Sequence, residues 1–378
     1  MANTGYPLAK TGAALALGAA AILFFTSYIE GGQQKPAGSS YRVLAPTTQD
    51  NLAVFPIVTE STPDTHFFLT LDEGLRSGQV VVTEEGGSTG LVRPRRPGPG
   101  PWPQPPIPRQ RGAEVNRLML MNNSDRPLIL LAGEIVTGGK QDRVVGKDRI
   151  VPAHSEPVDL GVFCVEPHRW IDISAQFGGL GFSMAQPSVR LKAMAEKDQQ
   201  AVWNEVAKSK ASVARMMPAP AARALEATSS YAGALENRAV QQRVDAMAAP
   251  IERSYDKLMR ELRAQKAVGA VVAVNGEIVW ADVFASAPLL EKYWPKLIRS
   301  YAAEAVAARG PWMPPAPMPS VKDAQAFLDD FSAPHESIES DPGVYRNTEL
   351  IGQDFDAFIL TSLLPGAHID VHVAKMKR

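Results

Sequence analysis

The strongest structural signal in the chain is residues 269–284, GAVVAVNGEIVWADVF, in which two apolar runs flank Asn275-Gly276. Asn-Gly favours a tight hairpin because both residues tolerate the positive φ angles that a short turn between twisted strands requires. The runs at 269–274 and 278–284 are short and rich in valine, as buried strands are. The sequence therefore predicts an antiparallel hairpin here.

Helical patterns surround this hairpin, because apolar residues on both sides of it recur at steps of three and four. Residues 240–262 carry the longest such stripe, and Pro250 lies within it without changing its phase. Because proline removes a helical hydrogen bond, this pattern predicts one kinked helix or two end-to-end helices that share a buried face. Further helices are predicted over residues 189–208, 289–307 and 321–331.

Strand patterns dominate both ends of the globular part. They cover residues 41–59, 66–71, 79–83, 115–121, 128–131, 135–137, 143–145 and 158–166, and later residues 355–361 and 369–373. Strands and helices do not alternate as a doubly wound sheet requires, so the predicted class is α+β. We expect an N-terminal β-rich region that the C-terminal strands join, with the helices and the β-hairpin in the centre.

The N-terminus carries an apolar segment at residues 12–29 without a charged side chain, preceded by Lys10. About 20 helical residues cross the apolar core of a bilayer, so this length predicts a transmembrane or signal-anchor helix. No clean small-residue cleavage pattern follows it, which favours an uncleaved anchor. Lys10 on the leading side predicts a body outside the cytoplasm, periplasmic or at the cell surface. A buried, alanine-rich core helix is the alternative.

Three segments follow from these patterns: an anchor at residues 1–30, a linker at 31–40 and a single α+β domain at 41–378. Within the domain, residues 93–111 are dense in proline and arginine and are unable to pair in a sheet, so we expect an exposed insertion. Its arginines could contact anionic lipid or a protein partner, or the insertion could be a solvated loop.

The charge balance argues against nucleic-acid binding, because 39 Lys and Arg residues are matched by 40 Asp and Glu residues. No broad positive field is available to neutralise phosphates. The sole cysteine, Cys164, excludes an intramolecular disulfide and a cysteine-rich zinc site. No motif in the sequence identifies a cofactor.

The densest polar cluster is residues 133–143, GEIVTGGKQDR. Adjacent glycines can expose backbone amides and two cations add positive charge, so an anion such as a phosphate could bind there. The cluster is not a Walker loop, because Gln141 stands where Ser or Thr must follow the lysine. A plain turn is the alternative. The candidate ligand-binding residues in this cluster are Gly138, Gly139, Lys140, Gln141 and Arg143.

A second polar segment, residues 162–170, is predicted to run from a buried strand into a polar and aromatic end. There Arg169 and Trp170 join the candidate ligand site. Three carboxylates of the two segments are candidate catalytic acids or bases: Glu134, Asp142 and Glu166. Their pairing with Arg169 as a buried structural ion pair is the alternative.

Two smaller patterns each allow a chemical and a structural interpretation. Cys164 could be a nucleophile with His154 or His168 as its base, although a lone cysteine in an apolar strand is more often an inert core residue. Residues 368–372, HIDVH, place two histidines and an aspartate on one strand face, as a metal site could. Because no further ligand can be assigned, the simpler interpretation is that these polar side chains face water, and no metal is predicted.

Together these segments resemble the bacterial domain family named for its association with ADP-ribosylglycohydrolase and rhodanese-phosphatase domains. The resemblance covers nearly everything from Tyr41 onward, and the anchor and the insertion lie outside it. It depends on residues 133–136 and 138–143, 150–152, 164–166, Arg169, Trp170, the 269–284 hairpin, Tyr293, Trp294, Leu297 and Tyr301. It implies a shared fold, and the family's name suggests ADP-ribose or NAD-linked chemistry without fixing an activity.

Three functions are compatible with these features. The first is a domain displayed from a membrane that binds an anionic small molecule, with Lys140 and Arg143 pairing the anion, Glu134 orienting them and Trp170 stacking on it. The second is a hydrolase that acts on an ADP-ribose or nucleotide-sugar-like substrate through the candidate carboxylates. The third is a structural or protein-interaction domain that uses the arginine-rich insertion.

Overall fold

The computed structural model describes residues 41–84, 117–167, 174, 176–262, 265–310 and 316–378. Four predictions from the sequence lie outside these residues. They are the anchor, the linker, the insertion rich in proline and arginine, and the candidate site residues His168, Arg169 and Trp170.

The described residues form 19 strands and eight α-helices. The strands are β1 (Arg42–Val43), β2 (Thr47–Gln49), β3 (Leu52–Thr59), β4 (Leu69–Thr70), β5 (Val80–Glu84), β6 (Leu118–Asn122), β7 (Leu128–Leu130), β8 (Glu134–Thr137), β9 (Arg143–Val145), β10 (Arg149–Val151), β11 (Val158–Asp159), β12 (Val162–Cys164), β13 (Gly178–Met184), β14 (Lys266–Val274), β15 (Glu277–Phe284), β16 (His335–Asp341), β17 (Tyr345–Ile351), β18 (Phe355–Ser362) and β19 (Ile369–Lys377). The helices are α1 (Leu71–Arg76), α2 (Pro187–Leu191), α3 (Gln199–Arg215), α4 (Ala219–Ala227), α5 (Tyr231–Glu236), α6 (Arg238–Glu261), α7 (Ala287–Ala308) and α8 (Val321–Asp329), with a π-helical segment at Lys192–Glu196.

The predicted hairpin lies in the middle of the largest described sheet. Its strands β14 and β15 join at Asn275 and Gly276, whose φ angles of 53° and 82° suit a tight hairpin turn. Nine described strands form this antiparallel sheet, eight of them in the order β1-β3-β14-β15-β19-β18-β17-β16 and the ninth, β2, paired with β3. The C-terminal strands therefore join the sheet of the first strands, as the sequence predicts.

Strands β4 to β13 form a second β region of three smaller sheets. Their orders are β10-β7-β4, β11-β6-β5 and β12-β9-β8-β13. These short strands enclose a core of their own, which includes Leu71, Val82, Leu120, Leu130 and Val136. Asp148, in the turn between β9 and β10, reaches the large sheet, where Asn347 Nδ2 donates to its main-chain oxygen at 3.0 Å. The fold is therefore α+β, with two β regions that meet near Asp148.

Helix α7 contacts both β regions and α6. Most of its side chains are buried, as expected for a helix with neighbours on several sides. Tyr255 of α6 stacks on Trp294 of α7 with ring centroids 4.0 Å apart. Helix α6 runs continuously through Pro250, and the apolar stripe read from the sequence is its buried face. Of the two predicted alternatives, the single helix is therefore confirmed.

Four element predictions need correction. Residues 41–59 are not one strand but the three strands β1 to β3, because the chain leaves the sheet at residues 44–46 and turns at Asp50, whose φ is 53°. Residues 66–71 are not one strand, because Thr70 Oγ1 accepts from Glu73 N and the Glu73 carboxylate accepts from Thr70 N, a capping box that starts α1. Residues 158–166 break into two strands at Gly161, where φ is positive. The helix predicted at 189–208 ends at Lys197, whose φ is 52°, and α3 begins anew with Asp198 as its cap. Strands β10, β13, β16 and β17 lack a strong apolar pattern and were not predicted.

Candidate functional site

The predicted glycine loop joins β8 to β9, and its backbone amides bind carboxylates of the protein itself. Gly138 N donates to Asp142 Oδ1 at 3.3 Å, and Lys140 N donates to Glu84 Oε1 at 3.0 Å. Gly138 and Gly139 have φ angles of 135° and 49°, which glycine adopts more readily than other residues. The two glycines therefore turn the backbone with positive φ, as predicted, but both are buried and the amides of Gly138 and Lys140 already bond to carboxylates of the protein.

The second predicted segment meets this loop. Asp142 N donates to Glu166 Oε2 at 3.2 Å, and Gln141 Nε2 donates to the main-chain oxygen of Glu166 at 2.9 Å. Arg143 is fully buried, with one guanidinium nitrogen 3.8 Å from Glu84. The structure therefore brings together the predicted residues Gly138, Gly139, Lys140, Gln141, Asp142, Arg143 and Glu166. Their roles as ligand-binding or catalytic groups stay predictions.

Glu134, the third candidate carboxylate, contacts a different cation. Lys296 Nζ of α7 donates to the Glu134 carboxylate and, at 2.8 Å, to Asp72 Oδ2. Leu131 N donates to Glu134 Oε2 at 2.7 Å. Burial lowers the pKa of an ammonium group, but the two carboxylates outweigh burial and raise the pKa of Lys296. Glu134 and Lys296 thereby tie β8 to α7 in a buried ion pair.

Cys164 is a core residue of β12. Its Sγ accepts a hydrogen bond from Glu166 N at 3.4 Å, and burial raises the pKa of the thiol. A raised pKa disfavours the reactive thiolate. His154, one of the two candidate bases, bonds to the exposed Asp125 at 2.7 Å, and His168 lies outside the described residues. These observations favour the inert interpretation of Cys164.

Four ionisable side chains lie buried where the two β regions meet, and we call them the buried charge cluster: Arg190, Asp282, His372 and Asp148. Arg190 of α2 makes two hydrogen bonds of 2.9 Å to Asp282 of β15. His372 Nδ1 of β19 lies 2.5 Å from Asp148 Oδ2, and its Nε2 lies 3.1 Å from Asp282 Oδ1. Because carboxylates only accept, both ring nitrogens donate and the imidazole is protonated. Two cations therefore face two anions.

Mutual attraction within the buried charge cluster outweighs the loss of water. Burial opposes the charge of His372, but Asp148 and Asp282 raise its pKa to about 9. Burial likewise opposes ionisation of Asp282, but Arg190 and His372 hold the pKa of that carboxyl well below its usual range. All four residues are at most 1% exposed. Because water does not reach them, the cluster links α2, β15, β19 and the β9–β10 turn as a structural element.

The histidine pattern at residues 368–372 requires a correction. His368 is exposed and Asp370 accepts from Thr361 Oγ1 at 2.7 Å, but His372 is fully buried. The prediction that His372 faces water is wrong, because Asp148 and Asp282 satisfy its charge inside the protein. In the part of the chain that the structure describes, no group of three or more His, Cys, Asp or Glu side chains is arranged to hold a metal ion.

An open groove of about 660 Å³ lies between α5, α6 and α7, beside the end of β13. Its volume is in the range of small-molecule sites. Its apolar lining comprises Met184, Leu235, Val244, Ala248, Ala249, Pro295 and Ala303. Its charged lining comprises Glu236, Asp245, Glu252 and Arg299, and Arg299 forms an ion pair with Asp245. Three carboxylates against one guanidinium give the described lining a negative balance.

A family model described as "ARG and Rhodanese-Phosphatase-superfamily-associated Protein domain", or ARPP-1, matches residues 40–372. The chain belongs to the ARPP-1 family. The match confirms the resemblance that the sequence motifs indicated. Searches of curated proteins and of solved structures give no match. The family description names no activity, and a shared fold does not fix a function.

The sequence of the ARPP-1 domain indicated the glycine loop but neither the groove nor the buried charge cluster. The cluster did leave one signal, since Asp282 stands between Ala281 and Val283 in an apolar strand. A lone buried carboxylate is strongly unfavourable, so such a residue predicts a buried partner. The partner, Arg190, is 92 positions away in the sequence and is identified only by the tertiary structure.

Proposed function

We propose that this ARPP-1 protein is a binding domain whose groove between α5, α6 and α7 takes a small organic cation with an apolar body. The observation that carries the proposal is the charge of the groove lining, in which the carboxylates of Glu236, Asp245 and Glu252 accompany one cation, Arg299. The buried apolar residues of the lining, which include Val244, Ala248 and Ala303, are called the apolar floor. A concave site lined mainly by one sign of charge concentrates ligands of the opposite sign. The lining therefore favours a cation over an anion.

The apolar floor would supply most of the affinity. The Asp245 side chain is 48% exposed, and an ion pair in such a place contributes about 0.2–1 kcal/mol. Each methylene removed from water contributes about 0.8 kcal/mol. A chain of several carbons on Val244, Ala248 and Ala303 therefore contributes more than its headgroup, while the carboxylates select the sign of the ligand.

We expect n-hexylammonium to bind about tenfold more tightly than hexanoate, which has the same carbon count and the opposite charge. Calorimetric titration of the full chain in lipid nanodiscs measures both affinities, with empty nanodiscs as the blank. Glu252→Gln is expected to weaken n-hexylammonium binding about two- to fivefold, because it removes one carboxylate of the groove. Glu261→Gln, which changes an exposed carboxylate of α6 outside the groove lining, is the matched control.

Equal or tighter binding of hexanoate contradicts a cation site. A thermal-shift test with ADP-ribose checks the alternative, an anion site at the glycine loop. A melting shift with ADP-ribose that disappears in a Lys140→Ala variant of unchanged stability would support the anion-binding function predicted for the glycine loop instead.

We also propose that residues 12–29 anchor the domain in a membrane, with its body outside the cytoplasm. The support is the uncharged apolar run itself and the position of Lys10 before it. Among the helices of the described ranges, from residue 41 to residue 378 with their gaps, none is both long and apolar enough to cross a bilayer.

Membrane fractionation tests the anchor. We expect the full chain to stay in membranes washed with carbonate and a chain that lacks residues 1–40 to remain in the soluble fraction, because hydrophobic insertion resists high pH whereas peripheral binding does not. Recovery of the full chain in the soluble cytoplasmic fraction contradicts the proposal.

A further inference from the structure

A second cavity of about 20 Å³ lies next to the groove, among α3, α4, α5, α6 and α7. We call it the inner cavity. Leu235, Val244 and Ala303 line both the groove and the inner cavity, so these three side chains form the partition between them. Leu235 is only half-buried, on the short helix α5. A ligand that lies on the groove floor therefore has its apolar body against the wall of the inner cavity.

The inner cavity suits an apolar group better than water. Its apolar lining, beyond the shared partition, is Val213, Leu225, Ala234, Val240 and Val306. Its polar side chains are already hydrogen bonded: Ser209 Oγ donates to Gln186 Oε1 at 2.7 Å, and Tyr231 OH accepts from Gln186 N at 3.2 Å. Lys210 Nζ donates to the main-chain oxygen of Thr228. A water molecule would need several polar partners there, whereas a methyl end needs none.

We infer that the ligand of the groove carries an unbranched alkyl tail whose end passes Leu235 into the inner cavity, an inference that rests on the proposed function. A volume of about 20 Å³ holds roughly one water-sized group, so the end of a linear chain fits and a branched end does not. The ligand class is therefore a linear alkylammonium. Its cation lies near Asp245 and Glu252, and its methylenes lie on Val244 and Ala248.

A homologous series tests the tail. From n-butyl- to n-heptylammonium, we expect the dissociation constant to fall about fourfold per methylene until the inner cavity is filled, and then to stay constant. The branched isomer 3,3-dimethylbutylammonium has the carbon count of n-hexylammonium and is expected to bind about tenfold more weakly. Calorimetry on the full chain in nanodiscs gives these constants.

Two variants separate the inner cavity from the groove. Ala234 lines the inner cavity and not the groove, whereas Glu252 lines the groove and not the inner cavity. Ala234→Val is expected to remove the gain of the one chain end that enters the inner cavity, about fourfold, and to leave n-butylammonium affinity unchanged. Glu252→Gln is expected to weaken every member of the series by the same factor. Val306→Ile fills the same cavity from α7 and serves if the first variant does not fold.

The outcomes distinguish the two proposals. If no alkylammonium binds, the proposed function is wrong and the tail inference falls with it. If the amines bind but the branched isomer equals the linear one, or a folded cavity-filling variant keeps the full chain-length gain, the groove site stands and the tail inference is overturned.

Discussion

Arg190→Ala is expected to lower the free energy of unfolding by about 3–5 kcal/mol, because it leaves the buried carboxylate of Asp282 without its guanidinium partner. His372 and the Tyr301 hydroxyl remain hydrogen bonded to Asp282 but replace neither of the two lost hydrogen bonds. The substitution also removes the guanidinium group that lies 4.3 Å from the Trp280 ring centroid. Since domains are stable by about 5–15 kcal/mol, much of the total is lost. Urea unfolding followed by tryptophan fluorescence measures the change.

Arg378→Ala is the matched control, because Arg378 also makes two hydrogen bonds to one aspartate, at 2.7 and 2.9 Å to Asp356. Its side chain is 47% exposed, however, so water replaces much of the lost interaction. We expect a loss of about 1 kcal/mol or less. Equal losses in the two variants would show that burial does not determine how much the charge cluster contributes to the free energy of unfolding.

Stability is expected to fall by about 3 kcal/mol as the pH rises from about 6.5 to 9, through the titration of His372. Its folded-state pKa is raised to about 9 from the ordinary 6.5, because Asp148 and Asp282 outweigh the effect of burial. The folded protein therefore binds a proton that the unfolded chain releases within this window. The contribution of His372 to the free energy of unfolding is fully present below pH 6.5 and is lost above pH 9. Urea unfolding at a series of pH values measures the profile.

The titration of Lys375 changes the free energy of unfolding in the opposite direction, so it needs its own control. Burial lowers the pKa of Lys375 to about 8, and Asp330 and Asp329 offset burial only in part. Between pH 8 and 10.5 the unfolded chain binds the extra proton, so this lysine makes the protein more stable as the pH rises. Lys375→Met should remove the rise above pH 8, and His372→Asn should remove the fall that begins near pH 6.5. A His372→Asn profile as steep as that of the parent protein would refute the assignment to His372.

Local patterns predicted much of the fold. The Asn275-Gly276 turn, helix α7 and the apolar face of α6 all follow from neighbours within a few residues, and the structure has them. Among the element boundaries, two differ from those predicted for a common reason. The N-cap at Thr70 and the left-handed backbone conformation of Lys197 set them, because such signals cover only a few residues and compete with the apolar spacing. The edge strand β16 and its neighbour β17 carry too many polar residues for a strand pattern to stand out.

The candidate site was predicted less completely than the fold. The glycine loop and Glu166 do meet, as their polar character suggested, but Glu134 turns to Lys296 on a helix more than a hundred residues later. No local pattern marks the groove either, since its wall is shared among three helices whose exposed residues look like any solvated face. The groove exists only where their packing leaves space.

By itself, the sequence determined the α+β class, the family and the elements whose geometry depends on near neighbours, because φ preferences and apolar spacing act over a few residues. Only the tertiary structure decided which charges are buried and with what partner. His372 and Asp148 are 224 positions apart, and the pKa of His372 is set by their contact and by the exclusion of water around it. Such energies depend on distance in space and on burial, and neither quantity is encoded in any single segment of the chain.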